Sequence, residues 1–202
     1  MRLYHHPFSS ASKRVTVTAA ELGITLDLIN VGNILAPDNR QVLLEKNPNG
    51  RIPVLEDGDF VLWESCAIMQ YLADITSNQT LYPREARERA DINRWLFWAS
   101  QHWTPAIGAI AWERVGKKVF GKGEPDMREI IRGETELQKL LPILDAKLSG
   151  GPWLHGAQLT LADIAISGTL IVAEQALLPL ATFSNIRRWF AAIQDRPSWN
   201  AA

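Results

Sequence analysis

GRIPVLEDG, residues 50–58, decides how the first part of the chain is read. Val54 and Leu55 have the character of a strand and Asp57-Gly58 that of a hairpin turn, yet Pro53 stands at the mouth of the strand. Within sheets, proline is confined to edges, first positions and bulges, because it removes a ladder donor. The commoner case is a trans Ile52–Pro53 bond, since only ~5–6% of X–Pro bonds in folded proteins are cis. A cis turn just before the strand would leave the Ile52 amide and carbonyl at the sheet edge. A peptide-like ligand pairs with such groups as an added strand.

Downstream of this stretch, Phe60 to Trp63 completes a strand–turn–strand pattern, and Ser65 to Leu72 opens a helix with Ala67, Ile68, Tyr71, Leu72 and Ile75 on one face. Upstream, Arg2 to His5 reads as a strand, and Val15 to Leu22 as a helix stopped by Gly23. Leu26 to Val31 reads as a second strand, followed by a loop around Pro37 and a helix through Val42, Leu43 and Leu44. The predicted order is β-α-β-α-β-β-α, an α/β first domain over residues 1–78.

Beyond the polar break Thr76 to Thr80 no strand is predicted, and seven of the eight tryptophans follow residue 90. Helices are expected around Ile131, Leu137, Leu141, Leu144 and Leu148 with a bend at Pro142, over Leu161 to Leu178, and over Asn185 to Gln194. Residues 86–202 therefore read as an all-helical second domain. Thr160-Leu161-Ala162-Asp163 fits a capping box, with Leu159 and Ile164 placed as its hydrophobic staple.

Composition narrows the function. The net charge of −1 gives no basic excess for nucleic acid or an anionic membrane surface, so neither partner is expected. MRLYHHPFSS lacks the apolar core of a secretory signal, and a soluble cytoplasmic protein is expected. Cys66 is the only cysteine, which excludes an internal disulfide or a CxxC pair. His5, His6, His102 and His155 show no metal-ligand spacing, so no metal is expected.

Two further stretches can carry chemistry. Ser9-Ser10, where strand one hands over to helix one, places a hydroxyl beside free N–H groups and the positive end of a helix dipole. Such a place stabilises an anion, a ligand's thiolate included, although plain helix capping is the commoner reason for serine there. Glu64-Ser65, at the start of the third helix, can hold an ammonium and a carboxylate together, as an amino-acid head group requires, or can again serve as a cap.

The residues Tyr4 to Val15, Asn47 to Leu55, Glu64-Ser65 and the Thr160 to Asp163 box, in this order, resemble the glutathione S-transferases along essentially the whole chain, and the bacterial serine-type members in particular. That resemblance implies a thioredoxin-like first domain with a cis bond at Pro53, a helical domain contributing the second-substrate pocket, and a homodimer. It implies glutathione as co-substrate, without a metal. Ile52 would pair its backbone with the cysteinyl unit, Glu64 and Ser65 would hold the γ-glutamyl head, and Arg51, with Arg40 as a second candidate, would lie near the glycyl carboxylate. Ser9 would donate its hydroxyl to the sulfur, with Tyr4 and Ser10 as rivals. Phe8, Trp103 and Ile107, with Trp112 as another wall, are the expected apolar contacts of the electrophile. The SSASKRV stretch is similar to the SSCSWRV type of zeta-class members, with Ala11 in place of the cysteine. The expected activity is conjugation of glutathione to a small hydrophobic electrophile in detoxification. A maleylacetoacetate-type isomerase, a glutathione peroxidase and a non-catalytic glutathione-binding dimerisation module are the alternatives.

Overall fold

In the computed structural model, which describes residues 1–201, Arg2–His5 forms β1, with Leu3 and Tyr4 buried. Helix α1, Ser10–Glu21, is capped by Ser9 in an extended conformation. It ends at Gly23, whose N–H bonds the Ala20 carbonyl while Ile24 N–H bonds that of Ala19. Strand β2, Asp27–Asn30, runs parallel to β1. Helix α2 spans Pro37–Leu44. Pro37 is therefore the first helical residue and not part of a loop: its fixed φ suits that position, and its missing N–H would have lacked a helical partner anyway.

Strands β3, Val54–Asp57, and β4, Phe60–Trp63, pair antiparallel, and α3, Ser65–Asp74, follows after the single residue Glu64. The sheet order is β2-β1-β3-β4, and α1 packs against α3. The predicted β-α-β-α-β-β-α order is thus the observed one. The predicted sheet edge at Ile52 is not observed, because β3 lies between β1 and β4. Pro53 precedes the strand, and Ile52 lies off its end.

The rest of the chain, Pro83–Arg196, is a separate helical unit. It runs through α4, Ala86–Trp98; a π-helical turn, Ala99–Trp103; α5, Thr104–Ala111; a second π-helical turn, Trp112–Gly116; and α6, Lys117–Phe120. Pro105 sits just past the first wide turn. A proline ring collides with the carbonyl four residues back in a regular helix, and a widened turn relieves that collision. Helix α7, Met127–Ser149, contains Pro142 and packs on α5. That approach requires Gly133, where a Cβ would stand 2.8 Å from both the Ala106 carbonyl oxygen and Ile110 Cγ1. Ile130, not Ile131, faces the core; Ile131 is 56% exposed.

Helix α8 covers only Leu161–Ser167, followed by a 3₁₀ segment at Gly168–Val172, so the single helix expected to Leu178 is broken. The Ser167 and Thr169 hydroxyls each bond the carbonyl three residues back, a pattern that competes with the α-helical ladder next to the flexible Gly168. Helix α9, Ser184–Gln194, completes the unit. Among the described residues no helix is long and apolar enough to cross a membrane.

The last helix, α10, Pro197–Asn200, belongs with Met1–Tyr82 and not with the preceding helices, so the boundary expected at the chain's end moves inward. Lys13 Nζ donates to the Trp199 carbonyl at 2.5 Å and sits 4.8 Å from the Trp199 ring centroid. The Ser198 hydroxyl donates to the Glu21 carboxylate. These contacts fix α10 on α1, a pairing distant in sequence and invisible to local periodicity.

Candidate active site

Tyr4 pairs with Val54, and Val54 with Trp63. This antiparallel register puts the C-terminal ends of β1 and β4 and the N-terminal end of β3 at one end of the sheet. Ser9, the Ile52–Pro53 step and Glu64-Ser65 all stand just beyond those ends. The starts of α1 and α3 share this end too, so two helix dipoles direct their positive ends there. Arg14, 3% exposed in α1, adds a full positive charge with Cys66 of α3 as an electrostatic neighbour. Burial lowers the Arg14 pKa without neutralising a guanidinium.

Ser9 is the N-cap of α1, its Oγ accepting from Ser12 N at 3.2 Å. Capping uses the oxygen as an acceptor and leaves the hydroxyl proton to donate elsewhere. Ser10 is the first helical residue. The turn carrying Ser9 is held by His6, whose carbonyl accepts from Ser9 N at 2.9 Å and whose Nδ1 accepts from Phe8 N at 3.2 Å. Phe8 itself is 77% exposed.

Tyr4 is engaged differently. Its ring is 8% exposed, its hydroxyl donates to Glu56 Oε2 at 3.1 Å, and Lys46 Nζ lies 4.9 Å from its ring centroid. Lys46 in turn donates to Glu56 at 2.5 Å, and these two bonds hold the Glu56 carboxyl below its usual range. Tyr4→Phe is accordingly expected to cost about 1 kcal/mol of stability through one lost bond and to leave the pKa of a bound thiol unchanged. Chemical denaturation and a thiolate absorbance titration check the two halves of that statement.

The Ile52–Pro53 bond is cis. Neither the Ile52 amide nor its carbonyl takes part in the described backbone hydrogen bonds, so both remain available. The approach to this step is organised by Asn47, a residue the sequence reading left without a role. Asn47 is 3% exposed; its Nδ2 donates to the Arg51 carbonyl at 2.8 Å, and its Oδ1 accepts from the Asn49 N and Nδ2 at 3.0 Å each. The Asn47-Pro48-Asn49-Gly50 composition is the available signal, since Asn side chains close turns two residues on. Gly50 has a φ of 58°, and a Cβ there would stand 3.3 Å from Arg40 Cζ, which places the Arg40 guanidinium against Gly50, the residue before the exposed Arg51.

Glu64 has a φ of 72° and a ψ of 113°, a conformation costing roughly 1–3 kcal/mol for a residue with a side chain. Its backbone turns β4 directly into α3, leaving the Glu64 side chain exposed and Ser65 7% exposed at the first helical position. Trp103 and Ile107 are not placed as expected. They are 0% and 2% exposed, and the Trp103 indole N–H bonds Thr169 Oγ1 at 2.7 Å and the Ile166 carbonyl at 3.2 Å. They belong to the core of the helical unit, whereas Trp112 is 39% exposed and stacks on Phe120. Among the described residues no group of three or more His, Cys, Asp or Glu side chains is placed to hold a metal ion.

Comparison with known proteins gives a consistent result. Residues 1–74 match the family model of the glutathione S-transferase N-terminal domain, and residues 103–197 that of the C-terminal domain. The chain is 30% identical over 192 residues to the glutathione S-transferase GstB of Escherichia coli K12, covering 94% of this chain and 91% of that protein. A glutathione S-transferase structure from Rhodospirillum rubrum superposes with a TM-score of 0.88 at 27% identity, covering 98% of this chain and 89% of that one. A theta-class enzyme from Xanthomonas axonopodis, solved with glutathione bound, gives a TM-score of 0.83 at 28% identity over 98% and 94% of the two chains.

Proposed function

The chain belongs to the glutathione S-transferase family, and from that premise we propose that Ser9 stabilises the thiolate of glutathione held at the shared end of the first sheet. The enzyme is a glutathione transferase; its electrophile is a small apolar molecule. The observation that carries the reading is the convergence of Ser9, the unpaired Ile52 backbone and Glu64-Ser65 at one sheet end. Ile52 pairs with the cysteinyl unit, Ser65 N–H and hydroxyl meet the γ-glutamyl carboxylate, and Glu64 accepts from its ammonium. Arg51 and Arg40 face the glycyl carboxylate.

The energetics fit this assignment. A free thiol with a pKa near 8.5 must be lowered by about two units to be mostly ionised at neutral pH, which takes ~2.7 kcal/mol. A hydrogen bond to an anion supplies ~1.5–3 kcal/mol, and the start of a helix dipole ~0.3–1 kcal/mol. The thiolate attacks an electrophile resting against the exposed Phe8 ring, and the leaving group departs with its electron pair. We also assign the protein to the cytoplasm, to detoxification and to a homodimer, following the family.

Titrating the ultraviolet thiolate absorbance of the glutathione complex is the direct test. A bound thiol pKa well below the solution value is expected; an unchanged pKa with intact binding would instead identify a non-catalytic glutathione-binding module. Glu64 gives a second, independent check. Glu64→Gly is expected to raise the unfolding free energy by about 1 kcal/mol by relieving backbone strain, while weakening glutathione affinity about tenfold or more through loss of the ammonium acceptor. Calorimetry in the absence and presence of glutathione measures both, and a variant that binds normally would remove Glu64 from the site.

A further inference from the structure

The turn that delivers Ser9 is braced by a titratable side chain. His6, Pro7, Phe8 and Ser9 form a β-turn in which Ser9 N donates to the His6 carbonyl at 2.9 Å. Pro7 stands at the second position, which its fixed φ suits. Inside the turn, Phe8 N donates to His6 Nδ1 at 3.2 Å. A backbone N–H can only donate, so Nδ1 carries a lone pair and the ring proton sits on Nε2. The His6 and Phe8 rings lie 5.7 Å apart, so this brace holds the exposed Phe8 ring as well as Ser9.

Elsewhere in the chain the same two-residue span is closed by groups that stay acceptors near neutral pH. Asn30 accepts from Gly32 N, Asn33 from Leu35 N, Asn47 from Asn49 N and Asn78 from Thr80 N, at 2.9–3.0 Å. Asp126 accepts from Arg128 N, and that bond is the main reason its carboxyl stays below the usual range. Amide oxygens do not titrate, and a depressed carboxyl remains ionised. An imidazole by contrast takes up a proton on its accepting nitrogen at pH ~6.5, and the resulting imidazolium has only donors.

We propose that His6 is a positioning residue whose protonation unlatches the Ser9 turn, adding a second proton dependence to that of the thiol; this rests on Ser9 as the partner of the thiolate. Above the imidazole pKa the brace is intact. As pH falls through it, Nδ1 becomes a donor facing the Phe8 N–H, and the turn keeps only its carbonyl bond. The other titratable and charged groups at this end come from three elements. Strand β1 brings His5, whose pKa is lowered by burial and then by the charge of His6. Helix α1 has no acidic residue in its first turn; its Lys13 bonds the Trp199 carbonyl, and its Arg14 has Cys66 as electrostatic neighbour. The start of α3 brings Cys66 and Glu64, the one carboxylate among them, which the glutathione ammonium engages.

The test is kcat/KM for conjugation from about pH 8 to about pH 5, with NMR of the Phe8 amide over the same range. His6→Asn should match wild type at the alkaline end, because Asn closes this kind of turn elsewhere, and should lose about fivefold less at the acid end. His6→Ala should be about fivefold slower at the alkaline end, with an unchanged thermal transition, and should converge on wild type at the acid end. The Phe8 amide resonance should titrate together with the His6 ring. Identical acid limbs in wild type and His6→Asn would overturn the proposal. A shallower limb in wild type would overturn it too, by showing that the imidazolium charge favours the thiolate more than the turn does. So would a Phe8 amide that ignores the His6 titration. In a Ser9→Ala background, His6→Ala should have no further effect. If Ser9→Ala keeps full activity, the assignment of Ser9 falls and this proposal with it; if Ser9→Ala is slow and His6→Ala is not, only the role of His6 falls.

Discussion

Ser9→Ala is expected to lower kcat/KM for conjugation about 10²-fold and to raise the pKa of bound glutathione toward that of the free thiol. The hydroxyl has two roles that need not conflict. Its oxygen caps α1 through the Ser12 amide, and its proton is left for the sulfur. The alanine variant loses both, including ~1 kcal/mol of capping energy. Ser9→Thr keeps a capping hydroxyl and should recover most of the rate. The KM for glutathione should change little, because the head group, cysteinyl backbone and glycyl carboxylate are held elsewhere. Steady-state kinetics with thiolate titration on the same variants separate a chemical role from a structural one. Full activity and unchanged thiolate absorbance in Ser9→Ala would transfer the role to Ser10 or to solvent.

Asp163→Ala is expected to destabilise the protein by about 3–5 kcal/mol, or about 10 °C in the midpoint of thermal unfolding, without touching the glutathione site. Asp163 is fully buried at the start of α8. Its carboxylate accepts from Leu154 N at 2.9 Å, Thr160 N at 3.0 Å, Thr160 Oγ1 at 3.1 Å and Trp189 Nε1 at 2.9 Å. Burial raises its pKa against the pull of these bonds. Removing it strands donors on the loop, the helix start and α9 at once, far more than a lost surface cap would cost. Asp163→Asn retains one acceptor oxygen and should fall between wild type and alanine. A loss below 1 kcal/mol for the alanine variant, by denaturant titration, would show that the three segments are held by other means.

What the sequence made legible was mostly local. The hairpin at Gly58, the cap at Ser9 and the box from Thr160 to Asp163 each depend on neighbours within a few residues, and the element order of the first unit followed from them. Pro37 was misread because a proline that starts a helix and one that lies in a loop look alike until the preceding residue's conformation is known. The break after Ser167 depends on hydroxyls choosing carbonyls inside an apolar run that looks uniformly helical. Trp103 and Ile107 show the limit for site reading: an apolar residue can face a pocket or a core, and only the packing of α8 and its 3₁₀ continuation against Trp103 decides. Asn47 opens the Asn47 to Leu55 stretch but has no role legible in the sequence, because its function is to hold a turn for residues that are themselves conspicuous.

The clasp between α10 and α1 bears on time as much as on stability. Lys13 and Glu21 meet their partners Trp199 and Ser198 only after the entire helical unit has been synthesised. At ~5–20 residues per second, the first unit emerges from the ribosome on the order of ten seconds before the segment that completes it. During that interval α1, whose N-terminus presents Ser9, lacks its last layer of cover, so the first unit reaches its finished form only after the helical unit and the α10 segment that follows it have been made.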